Sequence, residues 1–238
     1  MTVGNAVSGP ASCRKSSMQC RLAEPADADG IACILTDAFQ DRADDFILKL
    51  GVPFLSQYTR FVLADPRSVS LCVFDDDDRI VGVEMGTLDA AGEQRALRRH
   101  TLQFAVAALP ALLRRPALVA GLIRRYLATF SRRANSYVVN NGARIGYWAV
   151  TPEARRGAAA TELHRRFLDE MRSRGASRVA FDVAEENEKV IEVHQRLGAR
   201  VVQHMTLPDG RRRVRMEYVL RADQADRFDW VDSHRGTE

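Results

Sequence analysis

One long stretch of this chain lacks acidic residues, and almost the whole chain lacks lysine. Between Glu93 and Glu153 there is no aspartate or glutamate, while arginine pairs recur at 98–99, 114–115, 124–125 and 132–133. Of 35 basic residues only Lys15, Lys49 and Lys189 are lysines. The formal net charge is nevertheless only +4, too mild to argue for nucleic acid as a partner. Cysteine is scarce as well. Cys13, Cys20, Cys33 and Cys72 show no metal-ligand spacing, so no metal is expected. Cys33 and Cys72 stand in apolar runs, where a free thiol behaves as a small hydrophobe. Long hydrophobic runs are missing too: the longest uncharged apolar stretch, 102–113, falls short of the roughly 20 residues a membrane span requires. The first 18 residues are polar, with no apolar centre of the kind a secretory signal carries. These absences lead us to expect a reducing, cytoplasmic compartment.

What is present fits one globular domain of good size, or one domain with an insertion: 238 residues, 46% hydrophobic and 28% charged. Residues 1–18 read as a flexible extension and 221–238 as a polar tail, leaving 19–220 as the folded domain. A short strand, "QCRLAE", precedes a helical segment in which Ile31, Ile34, Leu35 and Phe39 recur at helical spacing. A second helical stretch is interrupted near Gly51 and Pro53. "SVSLCVF" and "RIVGVEMGTL" then form a hairpin around Asp75 to Asp78, four carboxylates that read as a solvated turn. Residues 91–135 form a helical insertion between the third and fourth strands, punctuated by Pro110 and Pro116. After it come "RIGYWAV", a helix to Ser173, "SRVAFDV", a helix over 187–197, and two closing strands around Pro208–Asp209–Gly210. This order implies an α+β fold: a mixed, mostly antiparallel central sheet flanked by helices.

Chemistry concentrates in "AVTPEARRGAAATEL", residues 149–163. A strand ends at Val150, two arginines follow, and the next helix begins on alanines. Its first-turn amides and positive end attract an anion. Small side chains let a diphosphate approach the backbone, where Arg155 or Arg156 pairs with its oxygens. Along that helix Ala160, Leu163, Phe167 and Met171 make one apolar stripe, opposite Glu162, Arg165, Arg166, Asp169 and Arg172.

The segment resembles the coenzyme A pyrophosphate loop of the GNAT acyltransferase superfamily. Val150, Pro152, Glu153, Arg155, Ala160 and Leu163 fit that pattern in register, whereas Ala158 stands where the family most often has glycine and Gly157 comes one place early. "RVAFDVAEENEKVIEVHQRLGAR" is similar to the strand, loop and helix that close the family's donor site. Asn187 falls on its usual asparagine, and Leu197–Gly198 on its closing turn. His194 occupies the place of a tyrosine that protonates the departing thiolate, and Ala199 replaces an aromatic.

The resemblance covers roughly 19–220, apart from the insertion. It implies acyl transfer from acetyl-CoA or another acyl-CoA to a primary amine, by direct attack in a ternary complex. The implied donor site comprises Ala149, Val150, Arg155, Arg156, Gly157, Ala158, Ala159, Ala160 and Asn187, with a strand amide at Ala149 or Val150 for the oxyanion. His194 is the implied proton donor. Glu84 and Asp182 are the candidate bases, and Tyr147 lines the acceptor cleft. His100, His164 and His204 show no partner pattern and read as structural or surface residues.

Two other readings stay open: a long-chain N-acyltransferase fed by acyl-CoA or acyl-carrier protein, and a degenerate fold acting as a binding module. The arginine-rich stretch 95–133 fits a homodimer contact, an acyl-carrier protein or a membrane surface.

Overall fold

A computed structural model of the chain describes residues 18–39, 47–115, 119, 142–155, 158–207 and 210–220. The expected C-terminal tail, residues 1–17 of the expected extension and most of the insertion beyond 115 lie outside the described residues. A seven-stranded sheet, ordered β1-β2-β3-β4-β5-β7-β6, forms the centre. β1 (Gln19–Leu22), β2 (Ser68–Phe74), β3 (Ile80–Thr87) and β4 (Ala143–Val150) pair antiparallel in chain order. β5 (Arg178–Ala184), β7 (Arg212–Val219) and β6 (Arg200–Thr206) form a second antiparallel set. The sets meet where β4 runs parallel to β5, and this pairing is confined to Ala143 with Val179 and Arg144 with Ala180. Past those two residues the strands part.

Helices cover both faces. α1 (Ala28–Phe39) and α2 (Val52–Ala64) pack Ile31, Leu35, Leu55 and Val62 against Cys72, Val83, Met85 and Ala149. α3 (Ala90–Arg99) and α4 (Thr101–Arg114) come between β3 and β4, as the helical insertion requires. α5 (Ala159–Ser173) lies on the opposite face, with Leu163, Phe167, Leu168 and Met171 against Val69, Leu71, Ile145, Val179 and Met216. α6 (Glu188–Arg196) joins it there through Val190 and Ile191. The sheet approaches α5 closely at Gly86: a Cβ there would fall on the Arg144 carbonyl oxygen and within 2.8 Å of the Phe167 ring.

Local chemistry explains where the expected elements hold and where they shift. Gly51, at φ 83°, ends the turn before α2, and Pro53 sits in that helix's first turn, where its missing N–H goes unneeded. Pro110 does not end a helix but lies within α4. Pro110 leaves the Val106 carbonyl without its helical donor, at a residue that is itself exposed. Asp75 accepts backbone N–H bonds from Asp77 and Arg79 at 3.0 and 2.9 Å, so the acidic hairpin loop is a self-capped turn. Cys72 is buried as its apolar run implies, but Cys33 is exposed on α1.

Candidate functional site

The parting of β4 from β5 opens a cleft of about 670 Å³. Its walls come from Tyr147 and Trp148 of β4, Phe181 and Asp182 of β5, His194 of α6, and Tyr58 and Glu93 across the way. A bulge shapes its β4 side: Met85 pairs with Tyr147 and Gly86 with Ile145, so Gly146 is the extra residue. The bulge resets the alternation. Ile145 and Trp148 pack with the α5 cluster, while Tyr147 and Ala149 pack with the α1–α2 cluster.

Backbone direction along β4 follows from one hydrogen bond. Thr151 N–H donates to the Val81 carbonyl at 2.9 Å, toward β3. Peptide groups alternate sides along a strand, so those of Val150 turn toward the gap left by β5. The Val150 carbonyl there accepts from Arg155 Nε at 3.2 Å. Arg155 ends a single helical turn, Pro152–Arg155, and its terminal guanidinium nitrogens make no bond to the described residues. Arg156 and Gly157 lie outside the described residues. α5 then starts at Ala159 behind an exposed Ala158 N-cap with no side-chain cap, so its first amides keep their donors. Ala159 and Ala160 pack partly on the core, leaving that helix end without bulk. Asn187 is the N-cap of α6, and its side chain makes no capping bond. The residues thus fit a diphosphate at the mouth of the splay: a helix N-terminus without a side-chain cap, alanines, and a guanidinium whose terminal nitrogens are open among the described residues.

Below the cleft lies a buried polar cluster. His194 is 5% exposed, and its Nδ1 lies 2.8 Å from the Tyr218 hydroxyl. Burial, then the neighbouring His164, depresses the His194 pKa from 6.5 to about 3, so the ring is neutral near pH 7. Burial, then Glu84, pushes the Tyr218 phenol well above its ordinary value, so it keeps its proton. That proton has two acceptors in reach: His194 Nδ1 at 2.8 Å and the His194 carbonyl at 3.5 Å. The carbonyl already accepts the Ala199 N–H at 2.9 Å. We assign the phenol's proton to the much shorter contact, at Nδ1, and that assignment places the ring's own hydrogen on Nε2.

Glu84 is not at the cleft, contrary to its reading as a candidate base. β3 turns it under α5, fully buried, where Oε1 lies 2.8 Å from His164 Nδ1. Burial raises its pKa and the His164 partner opposes the rise. Trp148 stacks on His164 at 4.6 Å between ring centres. Asp182 does line the cleft, but Arg215 donates to both of its carboxylate oxygens, at 2.9 and 3.3 Å.

The sequence reading missed Tyr218, Glu93 and Arg144, and it saw no partner for His164, which it read as structural or surface. Tyr218 alternates with Val214 and Met216 on the buried side of β7, where a phenol needs a partner. His164 follows Leu163 on the inner face of α5, and Glu84 stands alone in an apolar strand, so the two are complementary. Glu93, in the first turn of α3, lines the cleft with Arg144. Burial raises its pKa and Arg144 opposes that rise.

Residues 119–199 match the family model for the acetyltransferase (GNAT) family. An N-acetyltransferase from Staphylococcus aureus Mu50 shares the fold, with TM-score 0.54 and 13% identity over 87% of this chain and 100% of that one. NAA60 from Arabidopsis thaliana, in complex with acetyl-CoA, gives TM-score 0.52 and 13% identity over 86% and 99%. The ribosomal-protein-S18-alanine N-acetyltransferase from Escherichia coli gives 0.50 and 13% over 85% and 94%. A comparison with curated protein sequences gave no match.

Proposed function

We propose that this chain, which carries a GNAT-family acetyltransferase domain, transfers an acetyl group from acetyl-CoA to the primary amine of a small molecule or peptide. The observation that carries this reading is the splay of β4 from β5 after two paired residues, with the uncapped start of α5 at its mouth. Acetyl-CoA is a substrate here. Its diphosphate meets the amides of Ala159 and Ala160 and the Arg155 guanidinium, and Asn187 faces it from α6. Its thioester lies along the open edge of β4, where the Val150 N–H holds the developing oxyanion.

The acceptor arrives as an ammonium and must lose a proton before it attacks. Glu93 suits that task better than Glu84 or Asp182: it lines the cleft, and burial brings its pKa toward the working range. The amine nitrogen then bonds to the acyl carbon, and the C–S bond breaks. His194 acts differently from a stored-proton donor. An imidazole that stays neutral down to about pH 3 has no imidazolium proton to give. Its Nε2–H instead stabilises the departing thiolate by hydrogen bonding, and the thiol proton comes from the amine nitrogen as the intermediate collapses.

Thermal shifts with CoA, acetyl-CoA and palmitoyl-CoA test the reading. Acetyl-CoA at about 100 times its Kd stabilises by about 2.7 kcal/mol, and Arg155→Ala weakens the shift. A shift with palmitoyl-CoA alone makes the chain a long-chain acyltransferase. No shift with any thioester leaves the fold as a binding module.

A further inference from the structure

α4 is apolar on two opposite faces, and among the described residues only one of them is covered. On the inner face Phe104, Ala107, Ala108, Ala111 and Leu112 pack with Leu50 and Phe54. The Phe104 ring meets Phe54, Tyr58 and Phe61 at 6.0, 6.2 and 5.4 Å between centres. On the outer face Leu102, Val106, Leu109 and Leu113, spaced four, three and four residues apart, form one straight line. They are 77%, 64%, 51% and 75% exposed. A helix apolar all round is normally buried all round, and a contiguous apolar strip with a polar rim marks a contact surface.

Charge says what the contact is. Arg98 and Arg99 end α3 just before the strip, and Arg114 and Arg115 close it. All four are exposed, and none forms an ion pair among the described residues. No carboxylate occurs in the sequence from 94 to 152. We propose that α4 docks on an anionic lipid surface. The helix lies in the plane of the headgroups with its Leu–Val strip in the acyl boundary, and the arginines at both ends meet lipid phosphates.

A second copy of the chain is a poorer occupant: a two-fold contact through this strip sets arginine against arginine, with no carboxylate from the same stretch between them. At 14 residues, about 21 Å long, α4 can lie on a bilayer, and no helix among the described residues is long and apolar enough to cross one. The proposal does not depend on acyl transfer.

Vesicle flotation of the full chain tests it, with phosphatidylcholine alone and with roughly 30% phosphatidylglycerol added. The expected result is binding to the anionic vesicles, at least about tenfold weaker to neutral ones and at high salt. Changing Leu102, Val106, Leu109 and Leu113 together to Gln, or Arg98, Arg99, Arg114 and Arg115 together to Gln, should cost about as much. Because all eight side chains are exposed, both variants should keep the wild-type Tm, which is measured alongside. Absence of binding to anionic vesicles overturns the proposal, as does binding that the strip variant leaves intact. So does a lipid-free dimer, seen by light scattering, that the strip variant abolishes, which would assign the strip to a second copy.

Discussion

Removing one oxygen atom, by Tyr218→Phe, separates a positioned His194 from a merely packed one. The substitution keeps the ring that stacks on Phe181 at 5.5 Å and deletes the 2.8 Å bond to Nδ1. Nδ1 is then a buried acceptor without a donor, which costs about 1–3 kcal/mol of stability. The same loss acts on the tautomer. A bond worth about 1.4 kcal/mol to one tautomer biases it about tenfold, so the Nε2–H form gives ground to the Nδ1–H form. The direct assay is nitrogen NMR of histidine-labelled protein, which identifies the ring nitrogen that carries hydrogen. Wild type should show Nε2–H at His194, and the variant should show a mixture. In turnover, kcat should fall about tenfold with the KM for acetyl-CoA unchanged, since Tyr218 does not touch the donor. His194→Gln should cost about a hundredfold, in the range of losing one transition-state donor. An Nδ1–H ring in the wild-type protein refutes the assignment outright. A tautomer that Tyr218→Phe leaves unmoved refutes the role of the phenol.

Three further outcomes follow from the packing and charge of the site. His194 titrates at 6.5 unfolded and about 3 folded, so its contribution to stability is complete above the unfolded value and is lost as the pH falls toward the folded one. Chemical unfolding at about pH 5.5 should show about 1.4 kcal/mol less stability than near neutrality from this group; His194→Gln should flatten that slope, and equal slopes would sink the assignment. Glu84→Gln should lower Tm by disturbing the buried bond to His164 yet leave the acidic limb of kcat/KM in place, whereas Glu93→Gln should remove the limb. With its pKa raised, Glu93 loses its basic form at a higher pH than an ordinary carboxylate, so that limb lies above the usual carboxylate range. Gly86→Ala should cost about 1–3 kcal/mol in urea unfolding, because its methyl meets the Arg144 carbonyl and the Phe167 ring; an unchanged midpoint would mean that α5 can shift outward.

Most of the fold was legible because its signals are local. The α5 stripe, the acidic hairpin turn and the Gly51 break each follow from a few adjacent residues. The residues proposed to hold the donor share that locality, since a strand end, an arginine and a run of alanines are contiguous in sequence. The buried polar cluster below the cleft was not legible, since it joins residues far apart in the chain. Glu84 meets His164 across 80 positions, and Tyr218 meets His194 across 24.

A single extra residue adds to the difficulty. Strict alternation along "RIGYWAV" would put Ile145, Tyr147 and Ala149 on one face. The bulge at Gly146 instead divides them, with Ile145 under α5 and Tyr147 and Ala149 toward α1 and α2. No side-chain pattern announces that bulge; only the pairing with Gly86 shows it. It also has a functional consequence. Trp148 goes down beside His164 and His194 while Tyr147 goes up into the cleft, so adjacent residues of one strand serve the leaving-group side and the amine side of the proposed reaction. Deleting Gly146 would remove the bulge, keeping Ile145 and Tyr147 on their present opposite faces but straightening β4 where it borders the cleft. Thioester binding at the start of α5 should survive such a deletion better than turnover does.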